Sequence, residues 1–178
     1  MESIQQTWAG NLSSADSSGR VTATIARNGD LVSRLYIQLL NNNTAWGGGG
    51  GVNFPSKWIN TVECEIGGQT IDRQTGDWME AWAELTEPDG INSRSRFKNM
   101  SAMGGLNVGG LPSFTDTSSR IHVPLRFWFC ENPGLALPLI ALQYHEVKIV
   151  LDCNKLYHNN VAEVTVKSTF ADAELWAD

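Results

Sequence analysis

Apolar and polar residues alternate with a period of two along six separate stretches of the chain. From Arg20 to Arg27, Val21, Ala23 and Ile25 share one side, opposite Thr22 and Thr24. From Leu31 to Leu40, Leu31, Leu35, Ile37 and Leu39 share a face with Ser33, while Arg34, Tyr36 and Gln38 point away. Val62, Cys64 and Ile66 alternate with Glu63 and Glu65. Ile121, Val123, Leu125, Phe127 and Phe129 alternate with His122, Pro124, Arg126, Trp128 and Cys130. His145, Val147, Ile149 and Leu151 alternate with Tyr144, Glu146, Lys148 and Asp152. Ala162, Val164, Val166 and Phe170 alternate with Glu163, Thr165 and Lys167. Successive side chains of a strand point to opposite faces, so the pattern predicts strands with one buried and one wet face. The expected inward set is Ile25, Leu35, Ile37, Val62, Ile66, Val123, Leu125, Phe127, Val147, Ile149, Val164 and Val166. Asn28-Gly29-Asp30 and Gly67-Gly68 are turn signals beside these runs.

One window has a helical period. Trp78, Ala81, Trp82 and Leu85 fall at i, i+3, i+4 and i+7, which predicts a helix over Asp77 to Leu85. Asp77 followed by Glu80 resembles a capping box, and Pro88 and Gly90 end the helix. Frequent turns, seven or eight strands and no long helices between them exclude a doubly wound parallel sheet. They predict an all-β fold, an antiparallel eight-stranded jelly-roll sandwich with one short helix.

The length of 178 residues fits a single domain over 1–178 that can bury its own core. At 42% hydrophobic and 18% charged residues, the chain is too apolar to be disordered. A net charge of −6 repels phosphate, so no specific nucleic-acid binding is expected. The longest apolar run, Leu135 to Leu142, is far short of the roughly 20 residues of a membrane-spanning helix, so no membrane span is expected. The stretch Met1 to Thr7 has neither the basic start nor the apolar core of a signal peptide. Cys64, Cys130 and Cys153 are odd in number, form no CxxC pair and fall in stretches that read as strand. Buried free thiols are the reading, with one disulfide and a leftover thiol as the alternative.

The sequence carries no catalytic or phosphate-binding motif. There is no GxSxG, GxxxxGK[ST], HExxH or GxGxxG pattern, and the five glycines Gly47 to Gly51 have no lysine placed for a phosphate loop. His122, His145 and His158 never share one strand or helix face, so no metal, no cofactor and no catalytic residue is expected. Glu63 and Glu65 read as a solvated outer face rather than a catalytic pair. Arg94, Arg96 and Lys98 form a short basic stripe that reads as a solvated loop edge. Asn11, Asn42 and Asn99 open glycosylation sequons that, with no secretory signal, read as chance matches. Long connectors, 41–51 and 87–119, suit binding or assembly surfaces. Trp8, Trp46, Trp58, Phe114 and Trp176 lie in connectors or near the ends, outside the alternating pattern, and form the candidate assembly surface.

The most specific stretch is Asn132-Pro133-Gly134-Leu135-Ala136-Leu137-Pro138-Leu139-Ile140-Ala141-Leu142-Gln143-Tyr144-His145-Glu146-Val147-Lys148-Ile149. It resembles the signature of the major capsid proteins of nucleocytoplasmic large DNA viruses, close to the chlorovirus-like branch. Further pieces agree in order: Glu2 to Thr7, Arg27-Asn28-Gly29-Asp30-Leu31, Glu63 to Asp72, Asp77-Trp78, and Val123-Pro124-Leu125 leading to Phe127-Trp128-Phe129. The similarity covers nearly the whole chain and is weakest in the glycine-rich loops.

Read as residues alone, Pro133-Gly134 suits a type II turn with Gly134 at positive φ, and Pro138 forbids an uninterrupted helix or central strand. The expectation is a buried, irregular corner that delivers Tyr144 into the next strand. Asn132, Pro133, Gly134, Pro138, Gln143, Tyr144 and His145 form this structural corner motif. The resemblance implies two consecutive jelly rolls, of which this chain matches the first, as an excised domain. It implies a structural, non-enzymatic virion capsid protein that self-associates, as a trimer or another ring, and meets neighbouring capsid proteins. Assembly in the host cytoplasm is implied with it. A jelly-roll carbohydrate- or protein-binding module is the alternative.

Overall fold

The computed structural model describes residues 2–10, 19–40, 54–86, 100–101, 120–154 and 174–178. The expected strand at 162–170, with Val164 and Val166, and the loop residues Trp46 and Phe114 lie outside the described residues.

The elements, in chain order, are β1 (Ile4–Gln6), β2 (Trp8–Ala9), β3 (Gly19–Thr24), β4 (Leu31–Val32) and β5 (Leu35–Leu40), then α1 (Phe54–Trp58). β6 (Ile59–Ile66), β7 (Gln69–Thr75), α2 (Gly76–Thr86) and β8 (Arg120–Pro124) follow. A short helical turn α3 (Trp128–Glu131), a 3-10 turn (Pro133–Leu135), β9 (Leu137–Pro138), β10 (Val147–Cys153) and β11 (Glu174–Ala177) complete the described chain.

One sheet has the order β1-β11-β5-β8, and the other the order β2-β3-β10-β6-β7. β4 and β9 form a separate ribbon. Every pairing is antiparallel. Among the described residues, leaving aside the short β2, each sheet has four strands, and the chain crosses repeatedly from one sheet to the other. That is the jelly roll expected from the sequence.

Both sheets feed one buried cluster. Val21, Ala23, Val62, Cys64, Ile149 and Leu151 come from one side, and Leu35, Ile37, Leu39, Ile121, Val123 and Leu175 from the other. Phe127 and Phe129, stacked with centroids 5.7 Å apart, belong to the same cluster. Of the described members of the expected inward set, all are buried except Ile66, which is partly buried. The outer face of β3, β6 and β7 carries ion pairs instead: Arg20 and Arg73 each lie 3.2 Å from Glu63. Glu65 is 3.9 Å from Arg20, so these two carboxylates, expected to be solvated, are instead half-buried beneath exposed arginines on the outer face of the sheet.

Several expectations need correction. The run 121–130 is not one strand, because β8 stops at Pro124 and Trp128–Glu131 is helical. The last ladder-like bond to its partner β5 joins Leu125 N–H to the carbonyl of Leu35, the first residue of β5, at 2.9 Å. Cys130 therefore sits on a helical turn, half-buried. Leu31 is exposed, whereas its neighbour Val32 is buried. Ser33 and Arg34 interrupt the strand there, and Asp178 bonds to both: Ser33 N–H donates to the Asp178 carbonyl at 2.7 Å, and Asp178 N–H to the Arg34 carbonyl at 3.0 Å. The interruption shifts the parity by one, as any single-residue slip in a period-two pattern does.

The predicted helix is present but buries another side. Gly76, Met79 and Ala83 face inward, whereas Trp78 is 50% exposed and Leu85 83% exposed. Gly76 sets this orientation, since a Cβ there would collide with the carbonyl oxygens of Ser56 and Ile59. The cap is Thr75, whose Oγ1 accepts from Trp78 N–H at 3.2 Å, rather than Asp77. Finally, Trp8 and Trp176 lie in strands, and Trp58 ends α1 at only 5% exposure, so Trp58 is core rather than surface.

Candidate assembly surface

The corner motif begins with a local cap. Asn132 Oδ1 accepts from Gly134 N–H at 2.9 Å, and the Asn132 carbonyl accepts from Leu135 N–H at 2.8 Å. The Asn132 side chain thus claims the Gly134 amide and closes a 3-10 turn, with Pro133 in its first turn. Gly134 is not among the positive-φ glycines, so the expected type II turn is replaced by this one.

β9 then pairs with β4, setting Leu31 opposite Pro138 and Val32 opposite Leu137. Leu139 N–H extends the ribbon by donating to the Asp30 carbonyl at 2.9 Å. Val32, Leu137 and Leu139 are buried. The exposed residues of the ribbon and its continuation are Leu31, Pro138 and Ile140, none of which is polar. A half-exposed ribbon normally alternates apolar with polar; this one is apolar on both faces.

Arg27 fixes the next turn. Its guanidinium donates to the carbonyls of Gln143 at 2.6 Å, Leu142 at 2.9 Å and His145 at 3.1 Å. The Glu146 carbonyl accepts from Gly67 N–H at 3.0 Å, tying the same turn to the β6–β7 hairpin. Arg27 to Leu31 and Asn132 to Ile149, two of the sequence pieces behind the family resemblance, are therefore partners in space. The corner itself is not buried: Ile140 is 70% and Tyr144 88% exposed, and Tyr144 lies in the turn before β10 rather than in the strand. Gln143 is bound through its backbone carbonyl. Nothing periodic in the sequence marks Arg27; only its place beside the turn Asn28-Gly29-Asp30 does.

A second group lies on the sheet β1-β11-β5-β8. Tyr36 and Trp176 are cross-strand partners with rings 3° from parallel and centroids 6.4 Å apart. Glu174 Oε2 accepts from Trp176 Nε1 at 3.2 Å and from Gln38 Nε2 at 2.9 Å. Gln38 Oε1 lies 3.1 Å from His122 Nε2. Trp8 packs against the core from β2, with its Nε1 buried and without a hydrogen-bond partner among the described residues.

Electrostatics point away from reactive groups. Burial pushes the Cys64 thiol up to about 12, with the nearby Asp72 charge adding to it. Burial pushes Cys130 up to about 11 and Cys153 up to about 12. A high pKa keeps a thiol protonated and unreactive at neutral pH. The hydrogen bond from Lys148, 2.9 Å away, holds Glu146 below the usual carboxylate range and raises Lys148 in turn. Among the described residues, no three His, Cys, Asp or Glu side chains gather into a metal-holding group. No helix of the described residues is long and apolar enough to cross a membrane.

Fold and surface define a jelly-roll domain whose distinctive features are a backbone clasp and outward apolar side chains. The chain belongs to the major capsid protein family: the model described as "Major capsid protein N-terminus" matches residues 1–176. It is 43% identical to the major capsid protein of Phaeocystis pouchetii virus, over 88% of this chain and 34% of that protein. It is 37% identical to the major capsid protein of Paramecium bursaria Chlorella virus 1, over 84% of this chain and 31% of that protein. A quasi-atomic model of the PBCV-1 virus capsid superposes with a TM-score of 0.71 at 33% identity, over 99% of this chain and 40% of that one. The PBCV-1 VP54 crystal structure, fitted into a reconstruction of the virophage Sputnik, gives the same TM-score at 32% identity. The chain spans about a third of the length of the curated relatives it matches.

Proposed function

We propose that this chain forms one jelly roll of a large DNA virus capsid shell and acts structurally, without catalysis or a cofactor. The observation that carries this reading is the superposition on a virus capsid over 99% of the chain. In this reading residues 1–178 are a single domain corresponding to the N-terminal part of a longer capsid protein. Its partners are copies of itself, arranged as a trimer or another ring, and neighbouring capsid proteins; its place is the virion, after assembly in the host cytoplasm. The chain makes these contacts with outward apolar groups: Leu31, Ile140 and Tyr144 at the corner, Trp78 and Leu85 on α2, and Trp176 beside Tyr36. Side chains of this size are normally covered when they occur together.

Sedimentation of the purified chain over a range of protein and salt concentrations tests the proposal. The net charge of −6 opposes association, so added salt should strengthen it through screening. A strict monomer at every concentration would overturn self-assembly by this chain.

A further inference from the structure

The turn that precedes the clasp contains the chain's one Asn-Gly step, Asn28-Gly29. Both residues are exposed, and a side chain added at Gly29 would meet nothing within 4 Å. Among the described residues, the Gly29 amide and the Asn28 side chain have no hydrogen-bond partner. An amide nitrogen that is unbonded, unhindered and one residue after an asparagine is a nucleophile within reach of the side-chain carbonyl.

We propose that Asn28 is a site of spontaneous covalent modification, in which Asn28-Gly29 loses ammonia and converts to aspartate and isoaspartate. The co-reactants are water and hydroxide. Hydroxide removes the Gly29 amide proton, and the nitrogen attacks Asn28 Cγ. The new N–Cγ bond closes a five-membered imide while the Cγ–Nδ2 bond breaks, and the side-chain nitrogen leaves as ammonia after taking a proton from water. One water then opens the ring at either carbonyl. Opening on one side gives aspartate; opening on the other reroutes the main chain through Cβ and Cγ and leaves isoaspartate. No electrons change hands.

The position gives the reaction a structural consequence. Arg27, on one side, donates to three carbonyls of the corner, and Asp30, on the other, accepts from Leu139 N–H. Isoaspartate lengthens the backbone by one carbon between these two anchors and places a new carboxylate two residues from Asp30. The ribbon β4–β9 can then no longer hold both anchors in register. The modified turn loosens the apolar corner with age. The inference stands on the turn geometry and does not depend on the capsid reading.

The test incubates the folded chain in warm, mildly alkaline buffer, with a mildly acidic control and a urea-denatured sample alongside. Peptide mapping by mass spectrometry follows Asn28, and isoaspartyl methyltransferase labels the rearranged product. Asn28 should convert in the folded chain at a rate close to that in the denatured one, and faster than any other asparagine. Gly29→Ala, which has room for its methyl group, should slow conversion about tenfold by crowding the attacking nitrogen. Converted protein should unfold at a lower temperature than the unconverted protein, while incubated Gly29→Ala should not change. An Asn28 that survives in the folded chain while it converts in urea overturns the proposed site. Conversion with an unchanged unfolding temperature overturns the loosening of the corner.

Discussion

The imidazole of His145 lies so close to Gly67 that a Cβ on that glycine would sit 2.7 Å from Nδ1. Gly67 also has φ +60, a conformation that side-chain-bearing residues adopt at a cost. The hairpin turn between β6 and β7 and the end of the corner motif are therefore fitted to one another, with the Gly67 N–H bound to the next carbonyl along, that of Glu146.

Gly67→Ala should lower stability by more than the about 1–2 kcal/mol expected for the backbone alone. Gly68 is the control: it has φ +83, but nothing lies within 4 Å of its would-be Cβ. Urea denaturation should show a larger loss for Gly67→Ala than for Gly68→Ala, and His145→Ala should recover the difference. Equal losses would mean that the ring contact contributes nothing.

Arg27→Ala removes a charged donor from three carbonyls. The expected loss is about 1.5–3 kcal/mol, the range for hydrogen bonds to charged groups. Arg27→Lys should recover only part, because a compact ammonium cannot span three acceptors as the planar fork does. Full recovery by lysine would show that charge alone holds the turn.

Phe127 belongs to the expected inward set and Leu31 to the same apolar side of its run as Leu35 and Ile37, and the structure separates them: Phe127 is buried and Leu31 is exposed. Phe127→Ala should cost roughly 3–5 kcal/mol as a core truncation. Leu31→Ala, at an exposed position, should change stability by no more than about 0.5 kcal/mol. Chemical denaturation of the two variants decides the matter; a loss below about 1 kcal/mol for Phe127→Ala would contradict its place in the core.

The three cysteines give a pH dependence with a definite sign. Burial holds their folded pKa values above the ordinary 9.0, at about 11 to 12. Between the two values the unfolded chain releases protons that the folded chain keeps, so stability falls as pH rises. The contribution is fully present below 9.0 and is lost as pH climbs towards 12. Denaturation midpoints measured at rising alkaline pH should show this decline, and Cys64→Ala with Cys153→Ala should flatten it. A thiol reagent at neutral pH should react slowly with native protein and fully in urea.

The strands were legible because one face of each is dry. Val21 and Ala23 alternate with polar neighbours, and they and Ile149 and Leu151 are buried where alternation puts them, although Val150 between the last two is buried as well. Legibility fails where a local bond overrides the period. Ser33 and Arg34 bond to Asp178, nearly the whole chain away in sequence, and nothing near Leu31 announces the slip. Trp128 to Glu131 kept an alternating burial although the backbone had turned helical. In α2 the apolar stripe marked the helix correctly but not its buried side, because Gly76, which fixes the orientation, has no side chain to register in a hydrophobic pattern. The corner was visible as proline and glycine punctuation. Its anchor was not, since the three bonds of Arg27 go to backbone carbonyls that every residue carries.

β11 comes after every other strand in the sequence, yet it lies inside its sheet, hydrogen-bonded to β1 on one side and β5 on the other. Ser3 reaches Asp178 by a side-chain hydrogen bond at the same junction. As the chain leaves the ribosome, β1 must wait with its partner not yet made, and β5 and β8 present an open edge. This sheet closes only after Ala177 has emerged, so folding is completed late and through contacts of very long sequence separation, the kind that slows two-state folding. Until then, the exposed edge of β5 is the place where a nascent chain is most open to pairing with the wrong strand.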